Sequence, residues 1–409
     1  MVSPRAPSPR RPQESRGAAD AAKLFAASLF GLLVCLCCLP GLLRAQGPSM
    51  SAGGGGQGPT TWRPNRTDAK YVGAQACAKC HAEESAAQHS TAMGRAAQTA
   101  EASDVLRSNL RLTFRSGRYG YEITRRGGQS FYTVTDGSAT VSEPILYSFG
   151  QGKAGQTYVF RHEGAIWETR VSFYKELKGL DWTMGYQLSE PTSLSDALGR
   201  AISASEAREC FACHTTGAVA GAQLQLERLT PGVSCEACHG PGGEHVAAME
   251  AKDFKNKRVF NPGSMGPDEM SQEFCGSCHR SAEQVMTNKP LNGIVSVRFQ
   301  PYRIFTSRGH DPDDARLGCT ACHNPHENPK EDAAFYDQKC AACHRSSESL
   351  KSAQLAKAEA EDGRDAKPCP VAQKDCVSCH MPKVEVPGTH FKFTDHRIRI
   401  AREGEAFPN

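Results

Sequence analysis

Seven copies of Cys-x-x-Cys-His run through this 409-residue chain, and each ties its stretch of backbone to a bulky partner. They are Cys77, Cys80 and His81; Cys210, Cys213 and His214; Cys235, Cys238 and His239; Cys275, Cys278 and His279; Cys319, Cys322 and His323; Cys340, Cys343 and His344; and Cys376, Cys379 and His380. This is the attachment signature of a c-type haem. Two thiols add to the haem vinyl groups, two intervening residues set the matching span, and the adjacent His lies under the iron as proximal ligand. A lone Cys-x-x-Cys can be half of a zinc site or a redox dithiol. Seven copies, each followed at once by His, set those readings aside, because zinc frameworks do not demand that His. The expected cofactor is haem c, seven groups, covalently attached.

The other cysteines build no framework. Fourteen of the 18 belong to the motifs, Cys35, Cys37 and Cys38 lie in an apolar N-terminal stretch, and Cys369 reads as a free buried thiol. Residues 1–45 read as an export signal. Arg5, Arg10, Arg11, Arg16 and Lys23 form a basic leader, Leu24 to Leu43 an apolar core, and Leu43-Arg44-Ala45 a peptidase site before Gln46. The apolar run is long for a signal, so an uncleaved membrane anchor is the alternative, with membrane contact only in that case. Export suits the chemistry, because c-type haem is attached after translocation, and it places the protein in the periplasm or another extracytoplasmic space. The whole formal charge of +4 sits in residues 1–45, which leaves the remainder neutral. With about one net negative charge from each ferric haem and its propionates, the holoprotein reaches about −7. Nucleic acid is therefore a poor partner, and a basic patch on a redox protein a better one.

Residues 46–66, with four consecutive glycines from Gly53, read as a flexible linker, and 67–409 as the haem domain. Between the first and second motifs lies a haem-free stretch. Leu110–Phe114, Tyr119–Thr124, Phe131–Thr135, Thr157–Phe160 and Val171–Tyr174 alternate as strands, with Gly127-Gly128 and Asp136-Gly137 as turns. Helices are expected at 195–208, 243–252, 270–284 and 346–361. Hydrophobic residues make up only 39% of the chain, so the porphyrins supply much of the apolar core and the apoprotein is not expected to fold alone. The expected fold is mostly α and irregular, packed around haem, with a small antiparallel β-sheet insert at about 105–190 and haems two to seven in 205–400.

Seven further histidines remain: His89, His162, His245, His310, His326, His390 and His396. Two axial imidazoles lie on opposite faces of a porphyrin, so a His just after a proximal His cannot reach the far face of the same haem. His326 must therefore serve a haem other than that of His323, if it is a ligand at all, and the same rule covers His245 and His89. Such cross-bracing packs haems close together. His89, His245, His326 and His396, then His310 and His390, are the candidate distal ligands, against the blander reading of surface or satisfied core residues. Met93 competes with His89. His162 reads as a turn residue and is left out.

Several segments resemble the cytochrome c-552/4-like domain family, which includes the tetrahaem electron acceptor of hydroxylamine oxidoreductase. They are Cys77–His81 followed by His89-Ser90-Thr91-Ala92-Met93, Gly232 to His245, Asn261-Pro262, Cys319 to His326, and Cys376 to Pro382 followed by Thr394-Asp395-His396-Arg397-Ile398. The resemblance covers about residues 70–400. It implies His89, His245, His326 and His396 as distal ligands, and a haem-free sheet insert at Val171–Tyr186.

Two functions compete. The first is an electron carrier whose low-potential bis-His haems pass electrons between redox partner proteins, such as a membrane-bound quinol oxidase module and a terminal acceptor. The second is an oxidoreductase acting on a small nitrogen or sulfur oxyanion at one five-coordinate haem, with Arg161, His162, Tyr174 and Lys175 nearby if the sheet folds over that haem. No local motif nominates a catalytic group. A subunit of an extracellular conductive polymer is a third reading without a sequence feature behind it.

Overall fold

The computed structural model describes residues 70–408 apart from 187–188, 289–290, 343, 345–368, 370 and 373. The leader, the whole of the linker, Cys343 and the helix expected at 346–361 lie outside the described residues.

Strands dominate the first half. After α1 (Ala74–Ala78) and α2 (Ala82–His89) come β1 (Ala97–Thr99), α3 (Asp104–Ser108), β2 (Arg111–Ser116), β3 (Tyr119–Arg126), β4 (Gln129–Thr135) and β5 (Thr140–Phe149). Next are β6 (Thr157–His162), β7 (Ala165–Thr169), β8 (Val171–Tyr174), β9 (Gly179–Trp182), α4 (Leu194–Leu198) and β10 (Gly199–Ala201). Eight of these strands form one antiparallel sheet in the order β10-β7-β6-β5-β4-β3-β2, with β1 added on β5. β8 and β9 form a hairpin of their own, bridged to the segment before β6 through Gln156 and Phe173.

This overturns the expectation of a mostly helical fold with a small sheet insert. The sheet is a major element with a protein core. β3 and β4 alternate buried and partly exposed positions along their lengths, and Tyr121 faces Val134 while Ile123 faces Tyr132 across the pair. These four join Tyr158, Phe160, Val171, Leu198 and others in the largest hydrophobic cluster. Period-2 burial of aromatic and β-branched residues is what makes such a layer stable without help from a cofactor. Gly127 and Gly128, both at positive φ (54° and 89°), make the tight turn that joins β3 to β4. The longest strand, β5, escapes a sequence reading because Pro144 argues against a strand. Pro144 sits where β5 leaves β4 and joins β6, beside a bulge at Ile145–Tyr147, so the break in pairing accommodates the missing N–H.

The second half is a series of short helices: α5 (Ala204–His214), α6 (Cys235–His239), α7 (Gly243–Glu250), α8 (Gly276–His279), α9 (Ala282–Thr287), α10 (Gln300–Phe305), α11 (Cys319–Cys322), α12 (Ala333–Ala341) and α13 (Cys376–His380). The helix expected at 195–208 is split, because Gly199 takes φ 137° and an added Cβ there would collide with the Glu168 carbonyl. Ser203 restarts the chain as α5 by accepting from the Glu206 N–H. The stretch expected at 270–284 is a π-type turn (Glu269–Cys275), α8 and then α9, the last started by a Ser281–Gln284 capping box. No described helix is long and apolar enough to cross a membrane.

Candidate haem-binding cavity

Among the described residues each motif lies on or at the edge of a helical turn, which puts the first Cys at i and the His at i+4, with the second Cys of every motif but the sixth at i+3, on one face. All seven open onto the same cavity of about 4300 Å³. Its wall includes the proximal His81, His214, His239, His279, His323, His344 and His380 together with His245, His326 and His396. A single drug-sized ligand pocket holds only ~300–1,000 Å³, so this space suits several porphyrins rather than one small molecule.

Three pairs of imidazoles face each other inside it. His81 and His245 have ring centroids 6.5 Å apart, His239 and His326 6.1 Å, and His323 and His396 6.2 Å, with interplanar angles of 31°, 4° and 43°. Two imidazoles bonded to one iron at about 2 Å each, with centroids about 1 Å beyond the nitrogen, stand roughly 6 Å apart. In every pair the second His comes from beyond a later motif, so His326, three residues after His323, faces His239 instead.

The rings are also oriented for ligation. Nδ1 of His214 donates to Ala96 O (3.1 Å), that of His239 to Phe260 O (3.0 Å), that of His245 to Lys257 O (2.6 Å), that of His380 to Arg399 O (2.9 Å) and that of His396 to Thr394 O (3.0 Å). A carbonyl only accepts, so Nδ1 holds the hydrogen and Nε2 offers its lone pair. Burial holds His214, His279 and His323 below the usual imidazole range and pushes His396 down to about 4. Near pH 7 these rings are neutral, the form a metal binds.

The sheet helps to set this geometry. Phe211 of α5 packs edge-on against Tyr147 and Phe149 at the end of β5, and Phe149 meets the His214 ring at 5.2 Å. Ala96, which anchors His214, directly precedes β1. The 150–155 loop between β5 and β6 lines the cavity.

Thiols of different motifs touch. Burial and the adjacent Cys235 thiol push Cys77 up to about 11. Contact with Cys278, then burial, raises Cys213, and Cys319 has the same effect on Cys275. Cys376 is pushed up to about 12 by burial, Asp337 and Cys340. Cys238 and Cys275 lie within electrostatic reach of one another, as do Cys322 and Cys340.

The other expected residues lie elsewhere. His89 is exposed at the end of α2 and does not line the cavity. His310 stands 3.4 Å from the Asp268 carboxylate and packs on Phe305. His390 meets Asp181 through Nε2 at 2.8 Å and Tyr174 edge-on. A carboxylate thus holds the His390 ring by a hydrogen bond and lies close to the His310 ring, and neither ring lines the cavity. His162, at the β6–β7 turn, bonds Glu143 through Nδ1 at 2.7 Å and packs on Trp167. Arg161, His162, Tyr174 and Lys175 are all absent from the cavity wall. Cys369, expected to be buried, is exposed. Sequence reading misses Arg298 and Met184, which do line the cavity; no local pattern marks either one.

A cavity shared by seven Cys-x-x-Cys-His turns and paired imidazoles defines a multihaem cytochrome c, with haem c as its cofactor. Residues 173–240, which carry the second and third motifs, match the family "Cytochrome c554 and c-prime", and the chain is a multihaem c-type cytochrome related to that family. It is 25% identical over 186 residues to the multiheme cytochrome MtrA of Shewanella baltica, covering 43% of this chain and 46% of that protein. It is 30% identical over 108 residues to cytochrome c-554 of Nitrosomonas europaea, covering 24% and 43%. With the dissimilatory sulfite reductase MccA of Wolinella succinogenes it shares 24% identity over 162 residues, 30% of this chain and 23% of that one. The chain thus spans less than half the length of each of these curated relatives. Among solved structures it resembles the outer cell wall cytochrome OcwA, with a TM-score of 0.45 and 14% identity over 80% of this chain and 79% of that one.

Proposed function

We propose that the protein is an exported heptahaem electron carrier in which His81/His245, His239/His326 and His323/His396 are axial pairs of the first, third and fifth haems. The observation that carries this reading is the presence of three imidazole pairs at 6.1–6.5 Å in the one cavity that all seven motifs share. The touching thiols support a path in which haem one neighbours three, three neighbours four, and the line continues through five, six and seven, with haem two branching from four. The polypeptide would hold the haems by their thioethers, orient the imidazoles through Nδ1 and exclude water, while haem c supplies the one-electron chemistry. Bis-His ligation favours low potentials. Donor and acceptor would be redox proteins in an extracytoplasmic space. Mass spectrometry of the holoprotein should show seven haems, and electron paramagnetic resonance of the oxidised form should show at least three low-spin bis-His signals. A haem count well below seven, or a wholly high-spin spectrum, refutes the reading.

One observation favours a second reading. Among the described residues His214, His279, His344 and His380 belong to none of the three facing imidazole pairs, and of these His214 has the cavity-lining Arg298 within electrostatic reach. The Arg298 guanidinium meets the Met184 sulfur at 2.9 Å, and burial holds it below its usual range. Such a cation calls for an anion, either a haem propionate or a small nitrogen or sulfur oxyanion reacting at an open second haem. Sulfite or nitrite should perturb a high-spin signal in the second case, and Arg298→Gln should weaken that response. In the first case the variant changes only haem potential or retention.

A further inference from the structure

Glu236 lies inside the third motif, between Cys235 and Ala237, and is 2% exposed. A carboxylate so deeply buried must be compensated by hydrogen bonds or charge. Three backbone N–H groups do this. Oε1 accepts from Val72 at 2.9 Å and Gly242 at 2.8 Å, and Oε2 accepts from Gly73 at 2.8 Å. Among the described residues no basic side chain pairs with it.

The donors belong to two helix starts. Gly73 is the N-cap of α1, which carries Cys77 and leads straight into Cys80 and His81. Gly242 is the N-cap of α7, which carries His245. Lys70 adds a second tie between these segments, because its carbonyl accepts from Gly243 at 3.0 Å. The rings at the far ends of this arrangement are the pair at 6.5 Å.

We infer that Glu236 is a positioning residue for the first haem: one buried carboxylate clasps the backbone of both halves of its axial pair while sitting in the motif that attaches the third. This inference rests on the reading that His81 and His245 share an iron. The chemistry explains why an acid is needed. Three converging N–H groups require a group that only accepts, whereas a Gln amide must turn an N–H toward one of them. Gln can keep Oε1 on Val72 and Gly242 but loses the Gly73 bond. Ala loses all three.

The test compares the wild-type holoprotein with Glu236→Gln, Glu236→Ala, His245→Ala and the Glu236→Ala/His245→Ala double variant. Haem number comes from mass spectrometry and spin state from electron paramagnetic resonance. His245→Ala should convert one ferric haem from low to high spin. Glu236→Gln should give the same high-spin signal at partial occupancy, Glu236→Ala at nearly full occupancy, and the double variant no more than His245→Ala alone. The potential of that haem should also rise in Glu236→Gln, because a buried negative charge beside it has been removed. Wild-type spectra for both Glu236 variants would overturn the inference, as would a high-spin signal that adds to that of His245→Ala. If His245→Ala itself leaves the spectrum unchanged, the axial-pair reading fails, and the role given to Glu236 fails with it. Should Glu236→Ala yield no holoprotein, the milder Glu236→Gln decides.

Discussion

Replacing Arg303 by Met should destabilise the protein by about 3 kcal/mol. Arg303 and Asp395 are both completely buried and joined by two hydrogen bonds of 2.8 and 3.0 Å. Arg303 also donates to Pro408 O at 2.8 Å and stacks over Phe407. Removing one member of a buried ion pair costs ~3–5 kcal/mol, because the other charge is left without compensation. Here Asp395 would keep Arg399 at 3.2 Å and the Arg397 N–H at 3.0 Å, which argues for the lower end of that range. For a domain of this size each kcal/mol moves the thermal midpoint by about 2 °C, so ~6 °C is expected. Circular dichroism and haem absorbance, followed together on the holoprotein, would measure it. Arg303→Met/Asp395→Leu should recover most of the loss, since replacing both members of a buried pair is often neutral. His396 comes directly after Asp395, so the single variant should also disturb one bis-His signal. A midpoint within about 1 °C of wild type for Arg303→Met, or a double variant no better than the single, would refute the reasoning.

The same geometry sets other outcomes. His326→Ala and His396→Ala should each convert one low-spin haem to high spin in the oxidised resonance spectrum, whereas His162→Ala, whose ring bonds Glu143, should convert none. Gly232→Ala should sharply lower the yield of holoprotein measured by haem absorbance, because Gly232 has φ 79° and an added Cβ would collide with the Gly94 carbonyl. Arg200→Ala breaks pairs with Glu168 and Glu206 that are partly exposed, so its unfolding free energy, measured by denaturant titration, should fall by about 1 kcal/mol, well short of the loss for Arg303.

The attachment turns are legible because covalent chemistry confines their residues to five consecutive positions. The three-residue step from His323 to His326 is enough to exclude a shared haem, and the structure turns His326 toward His239. What no local pattern can show is which distant carboxylate claims a histidine. His390 meets Asp181 from 209 residues away, and that contact exists only because the β8–β9 hairpin packs near the C-terminal segment. The sheet is underestimated for a different reason. Its longest strand carries Pro144, and its margins, β1 and β10, are three residues each, too short for alternation to register. Gly199 likewise looks like a tolerable residue inside a helix, until the neighbouring Glu168 carbonyl leaves no room for anything larger.

The sheet's self-sufficient interior bears on how the molecule is made. Residues 97–201 emerge after the first attachment turn and before the other six. Its aromatic filling asks nothing of a porphyrin, so this lobe should set while the attachment machinery is still working on the six later motifs. A cell short of haem would then accumulate chains with an ordered β lobe and an unformed remainder, a half-built product that proteases should trim back to the sheet.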